Sequence, residues 1–250
     1  MTQSTRPHQP AHPTPTPTHG PPGTGSFTVA CRARISAPPS RCLAVVLDAA
    51  SYPLWSRFCR SCAVEGGEGG GGMGPPGEML LALGSRFVFD VHMDLAEEAG
   101  EGDAGGGAVT GRATPLEVSV LEAVGGGEGD GGGAGTGGRG EEGTGRGGGG
   151  GSGGERRGWR VAWKTRGMPS FVLRSERVQE FLEAAEDGNA TDYVCWETFY
   201  GMLAPVVRLA VGPKLERGFG AWMDDLKARA ETLHSRRGEE SENDAKREMV

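Results

Sequence analysis

No stretch of this chain approaches the ~20 consecutive apolar residues of a membrane span, and its opening residues lack the apolar core of a secretory signal. One arginine among prolines is a poor transit peptide as well, so the expected compartment is the cytoplasm, where thiols stay reduced. The sequon Asn189-Ala190-Thr191 then reads as the end of a turn. Positive charge is not in excess. The net charge of −7 argues against a general affinity for nucleic acid backbone, which needs a concentrated basic face. The run GRGEEGTGRGGGG has too few arginines, and too many acids between them, to act as an RGG segment. Cysteine is sparse. Cys59 and Cys62 form a CxxC with no second pair for zinc, and Cys31, Cys42 and Cys195 stand alone. Histidine is sparser still. Outside the N-terminal segment there are only His92 and His234, so no Ser-His-Asp or Cys-His arrangement can be argued.

Glycine and proline are abundant, with 46 and 16 residues. Between Gly125 and Gly154, 20 of 30 residues are glycine. Such a run has almost nothing apolar to bury and cannot offset the entropy of ordering itself. Chance GxGxxG matches inside it carry no phosphate-binding meaning, because no strand and helix N-terminus flank them. We expect a disordered Pro/Thr-rich segment over residues 1–25 and a disordered charged tail over 236–250. Between them, residues 26–235 form a single domain with glycine-rich inserts near 66–78, 96–111 and 125–157. What remains, roughly 140–150 residues, is enough for one domain with a real core.

Several segments alternate with a strand's period of two. Phe27, Val29, Cys31, Ala33 and Ile35 share one face; Phe87, Phe89, Val91, Met93 and Leu95 another; then Leu116, Val118 and Val120, and Trp159, Val161 and Trp163. A single apolar face per strand suits an antiparallel sheet covered on one side. SRCLAVVLDAASYPLWSRF reads as one or two short helices broken near Tyr52-Pro53, and CRSCAVEG as a strand. Residues 171–201 read as a hairpin around Glu186-Asp187-Gly188-Asn189, which sets Arg177 opposite Glu197 and Val178 opposite Trp196. The apolar period from Leu203 to Leu233 predicts a long helix, kinked or interrupted at Gly212-Pro213. The fold class is α+β: an antiparallel sheet against a long C-terminal helix.

Two polar groupings stand out. Arg177 and Glu197 form a buried ion pair if they point inward, and an ordinary surface pair if they point outward. Asp90, His92 and Asp94 share a strand face and are of metal-ligating types. Alternate residues along a strand lie almost 7 Å apart, however, too far to converge on one ion. A solvated strand face is the simpler reading, and neither a metal nor another cofactor is expected.

The order of elements, with VLDAASYPLWSRF, LALGSRFVFDVHM, GWRVAWKTRGMPSFVLRSERVQEF and ETFYGMLAPVV…LERGFGAWMDDLKARAE, resembles the START/Bet v1-like (SRPBCC) superfamily, closest to its polyketide cyclase/dehydrase-like branch. Its most specific piece runs from Glu197 to Lys227. The resemblance implies a helix-grip fold of seven strands curled around the last helix, with a cavity between them for a lipid-, sterol- or polyketide-like molecule. The residues expected to meet such a ligand are Trp55, Phe87, Phe89, Trp163, Phe171, Phe199, Met202, Phe219 and Met223, with Arg177 and Glu197 at its polar end. The same side chains also suit a solid core. Binding of a hydrophobic small molecule is the leading expectation. A cyclase or dehydratase using Glu197 or Asp90 as acid/base, and a non-catalytic scaffold built on the glycine loops, are the alternatives. The sequence carries no signal of oligomeric state.

Overall fold

The computed structural model describes residues 16–18, 25–66, 79–94, 111–125, 156–185 and 187–248. Leu95 and nearly all of the glycine inserts lie outside these residues. In chain order the elements are β1 (Phe27–Ile35), α1 (Pro39–Leu47), a 3-10 helix (Ala49–Leu54), β2 (Cys59–Val64), β3 (Arg86–Val91), β4 (Arg112–Val124), β5 (Gly158–Thr165), β6 (Arg174–Ala184), β7 (Asp187–Tyr200) and α2 (Ala204–Glu248). The strands form one seven-stranded sheet in the order β1-β7-β6-β5-β4-β3-β2. Every pairing is antiparallel.

The alternating faces become the inside of this sheet, and α2 lies across it. Leu215, Phe219, Trp222, Met223, Leu226 and Ala230 of α2 are buried against Phe27, Val29, Cys31, Phe87, Phe89 and Trp163 of the strands. Gly218 allows the closest approach. A Cβ there would stand 2.2 Å from the Phe58 ring. At the helix's later turns Lys227 Nζ donates to Arg34 O, Ser36 N to Glu231, and Arg57 pairs with Asp225 at 2.8 Å. No described helix is long and apolar enough to cross a membrane.

Three local expectations change. The helical segment after β1 breaks at Asp48, which bridges to Leu80, and not before Pro53. Pro53 sits inside the 3-10 helix, too short to ask for many backbone donors. In β4 the pairing shifts between Val118 and Val120. This bulge at Ser119 turns Val120 away from the core and Leu121 toward it, as one extra residue must. The β6–β7 ladder keeps the expected pairs, Arg177 with Glu197 and Val178 with Trp196, but shifts beyond Glu183, so that Ala184 pairs with Asp187. The turn therefore closes earlier than expected, and Gly188 and Asn189 belong to β7.

Helix α2 continues through Pro213 and on to Glu248, well past the last apolar position at Leu233. One proline removes one hydrogen bond, while Val211 and Leu215 on either side pack on the core. Beyond Leu233, seven of the fifteen residues to Glu248 are Arg or Glu, which favour helix. A disordered tail over 236–250 is thus not what the backbone shows as far as Glu248. In the N-terminal segment, Thr18 donates through N and Oγ1 to Glu176 at 3.2 and 2.5 Å, and Thr16 meets Tyr200 OH at 3.1 Å. These residues fasten that segment to the outer face of the sheet.

Candidate functional site

The inner sheet face and α2 do not meet everywhere. Toward the N-terminal turns of α2 they diverge and leave a cavity of about 440 Å³, within the range of small-molecule sites. Its floor is aromatic: Phe58, Phe89, Trp163 and Phe199. Val207, Val211 and Leu215 of α2 close one side, and Arg112, Thr114 and Pro115 of β4 with Gly167 and Met168 of the β5–β6 loop form another. Strand periodicity puts Phe89, Trp163 and Phe199 there, because they occupy inward positions on adjacent or near-adjacent strands.

One part of this wall is charged. Inward positions on β6 are Ser175, Arg177 and Gln179, a polar stripe in a largely apolar face, and all three are buried. Arg177 Nε donates to Glu197 Oε2 at 3.2 Å, and Ser175 Oγ donates to Glu197 Oε1 at 2.6 Å. The guanidinium lies 4.1 Å from the Phe219 ring centroid, with the Trp222 and Phe58 rings at 5.4 and 5.5 Å. Cation–π contact of this desolvated kind is worth up to about 2 kcal/mol. Burial opposes the charge on Arg177, but the Glu197 carboxylate together with Cys195, Cys59 and Tyr193 outweighs it and holds the guanidinium above its ordinary pKa. Ser175, Arg177 and Glu197 all line the cavity. Among the described residues, only Nε of Arg177 finds a hydrogen-bond acceptor. Its Nη atoms belong to the cavity wall and make no hydrogen bond among the described residues.

Behind this pair, Tyr193 OH donates to Gln179 Oε1 at 2.7 Å and Trp222 Nε1 donates to Tyr193 OH at 3.0 Å. This buried relay fixes α2 on β6 and β7, and so fixes the depth of the cavity.

Of the residues expected to meet a ligand, the structure brings together Phe89, Trp163, Phe199, Arg177 and Glu197. The others stand elsewhere. Phe87 packs behind the wall, its ring 4.9 Å from Phe89 and 5.8 Å from Trp163. Trp55 packs on Tyr52 and Trp222 at 5.0 and 5.2 Å. Phe219 and Met223 are sealed under α2. Phe171 and Met202 lie at the surface, 67% and 72% exposed. Ser175 went unrecognised, although its place two residues before Arg177 puts it on the same face. Arg112 and Thr114 of β4 had no apolar signal to announce them.

Asp90, His92 and Asp94 do not converge. His92 Nε2 meets Asp90 at 2.9 Å, and Asp94 turns to Lys214 at 2.6 Å. His92 is itself buried, unlike a residue of a solvated face. Among the described residues no three His, Cys, Asp or Glu side chains stand close enough to hold a metal ion. Cys59 and Cys62 are buried on β2, and burial pushes both thiols up to about 12, the reverse of a reactive CxxC.

A curved antiparallel sheet in this strand order gripping a long C-terminal helix is a helix-grip fold. No protein-family model matches the chain, and no curated protein matches its sequence. Solved structures do resemble it in shape. A hypothetical protein from Helicobacter pylori aligns with a TM-score of 0.53 at 13% identity, covering 88% of this chain and 99% of that one. A START superfamily protein from Mycobacterium smegmatis aligns at 0.42 and 11% identity, covering 82% and 98%. An aromatase/cyclase from a Streptomyces species aligns at 0.44 and 12% identity, covering 82% and 93%. Identities this low speak to fold alone.

Proposed function

We propose that the protein binds a hydrophobic small molecule, lipid- or polyketide-like, with its apolar body against Phe89, Trp163 and Phe199 and one oxygen on Arg177. The observation that carries this reading is the ion pair in the wall of an otherwise apolar cavity. Burying a charge pair is costly and weak as a device for stability, whereas donors facing a cavity orient a ligand. Because Glu197 already balances Arg177, the polar end is neutral overall, which suits a carbonyl or hydroxyl better than a free carboxylate. Five cysteines, all unpaired, support the cytoplasm as the working compartment.

A cyclase or dehydratase would need a group free to exchange a proton with substrate. Both oxygens of Glu197 are already engaged, which supports binding over catalysis. Native mass spectrometry of protein purified from its source tests the proposal. The expected result is a bound apolar molecule that is lost from Val211→Trp, which fills the cavity. A ligand-free protein that also fails to take up a fluorescent fatty alcohol would refute it.

A further inference from the structure

Six large apolar side chains left outside the core stand together at the cavity mouth: Met168, Phe171, Met202, Leu203, Val206 and Leu209, between 41% and 87% exposed. They come from the β5–β6 loop and from the turn and first helical residues after β7. Met202 N donates to Phe171 O at 3.0 Å and Leu203 N to Val172 O at 2.9 Å, which joins the two segments into one surface. Leu203, Val206 and Leu209 recur every three residues along the start of α2. Met168 and Val206 also line the cavity, so the patch surrounds its opening. Single exposed apolar residues need no explanation, but a contiguous group of this kind marks an interaction site.

The two segments that carry the patch are as one-sided in charge. In a chain of net charge −7, neither Thr165–Ser175 nor Thr198–Leu215 contains an Asp or Glu, while both carry cations. Arg166 pairs with Glu65, and Lys214 with Asp94. Arg174 lies over the Tyr200 ring and Arg208 is exposed, neither with an ion pair among the described residues.

We propose that this surface docks on an anionic lipid bilayer, the apolar side chains entering the interface and Arg174 and Arg208 meeting lipid headgroups. An apolar ring with basic residues beside it is what interfacial binding requires. A bilayer also suits the position of the patch. It places the cavity mouth against hydrocarbon, so that an apolar molecule need not cross water, a consequence that rests on the binding function proposed above.

Cosedimentation with phosphatidylcholine vesicles, with and without phosphatidylglycerol, tests the surface. Binding is expected to the anionic vesicles and to weaken with salt. Leu203→Glu/Leu209→Glu is expected to reduce it by about tenfold or more, and Arg208→Glu by about fivefold or more. Neither change touches the cavity wall, so uptake of a fluorescent fatty alcohol in solution should persist in both variants. Loss of vesicle binding with retained uptake supports the docking surface. Vesicle binding without uptake also supports it while removing the cavity reading. Wild-type protein that ignores vesicles, or variants that bind as well as wild type, would overturn it. So would self-association abolished by the same leucine changes in protein that does not bind vesicles, which would make the patch an interface between copies.

Discussion

Arg177 and Glu197 are partners across the β6–β7 ladder, and their side chains meet at 3.2 Å on the inner face of the sheet. Their side chains are only 7% and 13% exposed. Removing one member therefore leaves the other buried and unbalanced. Glu197→Gln is expected to destabilise the fold by about 3–5 kcal/mol, the usual cost of breaking a buried pair. Arg177→Met combined with Glu197→Leu should recover most of that loss, because it removes both charges together. Urea denaturation of the single and double variants measures this. A single variant as stable as wild type would mean that the pair is open to water.

Two glycines of α2 should respond to alanine with opposite signs. At Gly218 a Cβ would collide with the Phe58 ring at 2.2 Å. Gly218→Ala should cost about 1–3 kcal/mol as overpacking. At Gly212 the nearest atom is Arg208 Cγ at 3.9 Å. Gly212→Ala should stabilise by about 0.5–1 kcal/mol through helix propensity. Thermal melts of the two variants read the contrast directly.

Much of this was legible in the sequence, and the exceptions have physical causes. Strands β1, β3 and β5 announce themselves because Phe27, Phe87 and Trp163 recur with their neighbours at a period of two. The register of β6 on β7 followed from the symmetry of the hairpin, although the turn itself did not. A bulge such as that at Ser119 has no compositional mark, so the inward turn of Leu121 was invisible. The cavity is legible only in part. Trp55, Phe89 and Phe219 are equivalent as letters, and only the tilt of α2 decides that Phe89 faces a space while the other two face packing. In the sequence Phe171 and Met202 resemble ligand contacts because they are large and apolar; such residues at the tips of connecting segments are as readily left outside.

The five cysteines should be unreactive in the native state. All are buried, and burial lifts Cys42 to about 11 and Cys59 and Cys62 to about 12. At pH 8 these three thiols have almost no thiolate to offer, while Cys31 and Cys195 are closed to a reagent by their burial. Titration with a disulfide reagent should find none reacting within minutes in buffer and all of them in guanidinium chloride. Prompt reaction of native protein would show that the sheet opens.

Glu176, on the outer face, should make part of the stability depend on acid. Burial alone would raise its pKa, but hydrogen bonds from Ser119, Thr18 and Thr16 prevail and hold it below the ordinary carboxylate value. A carboxyl whose folded pKa is depressed contributes stability that is complete above its unfolded pKa. That contribution is lost as the pH falls through the folded value. Glu231, lowered by Lys227 and by Ser36 N, behaves in the same direction, so wild type should lose both contributions below the unfolded carboxylate range. Glu176→Gln keeps an acceptor for Ser119 and Thr18 but not the charge. It should cost about 1 kcal/mol at neutral pH, the difference between charged and neutral hydrogen bonds. That deficit should shrink as the pH falls, because wild type is protonated into the same state. Denaturation midpoints of both proteins across the acid range test this, and a deficit that stays constant with pH would show that the Glu176 charge plays no part.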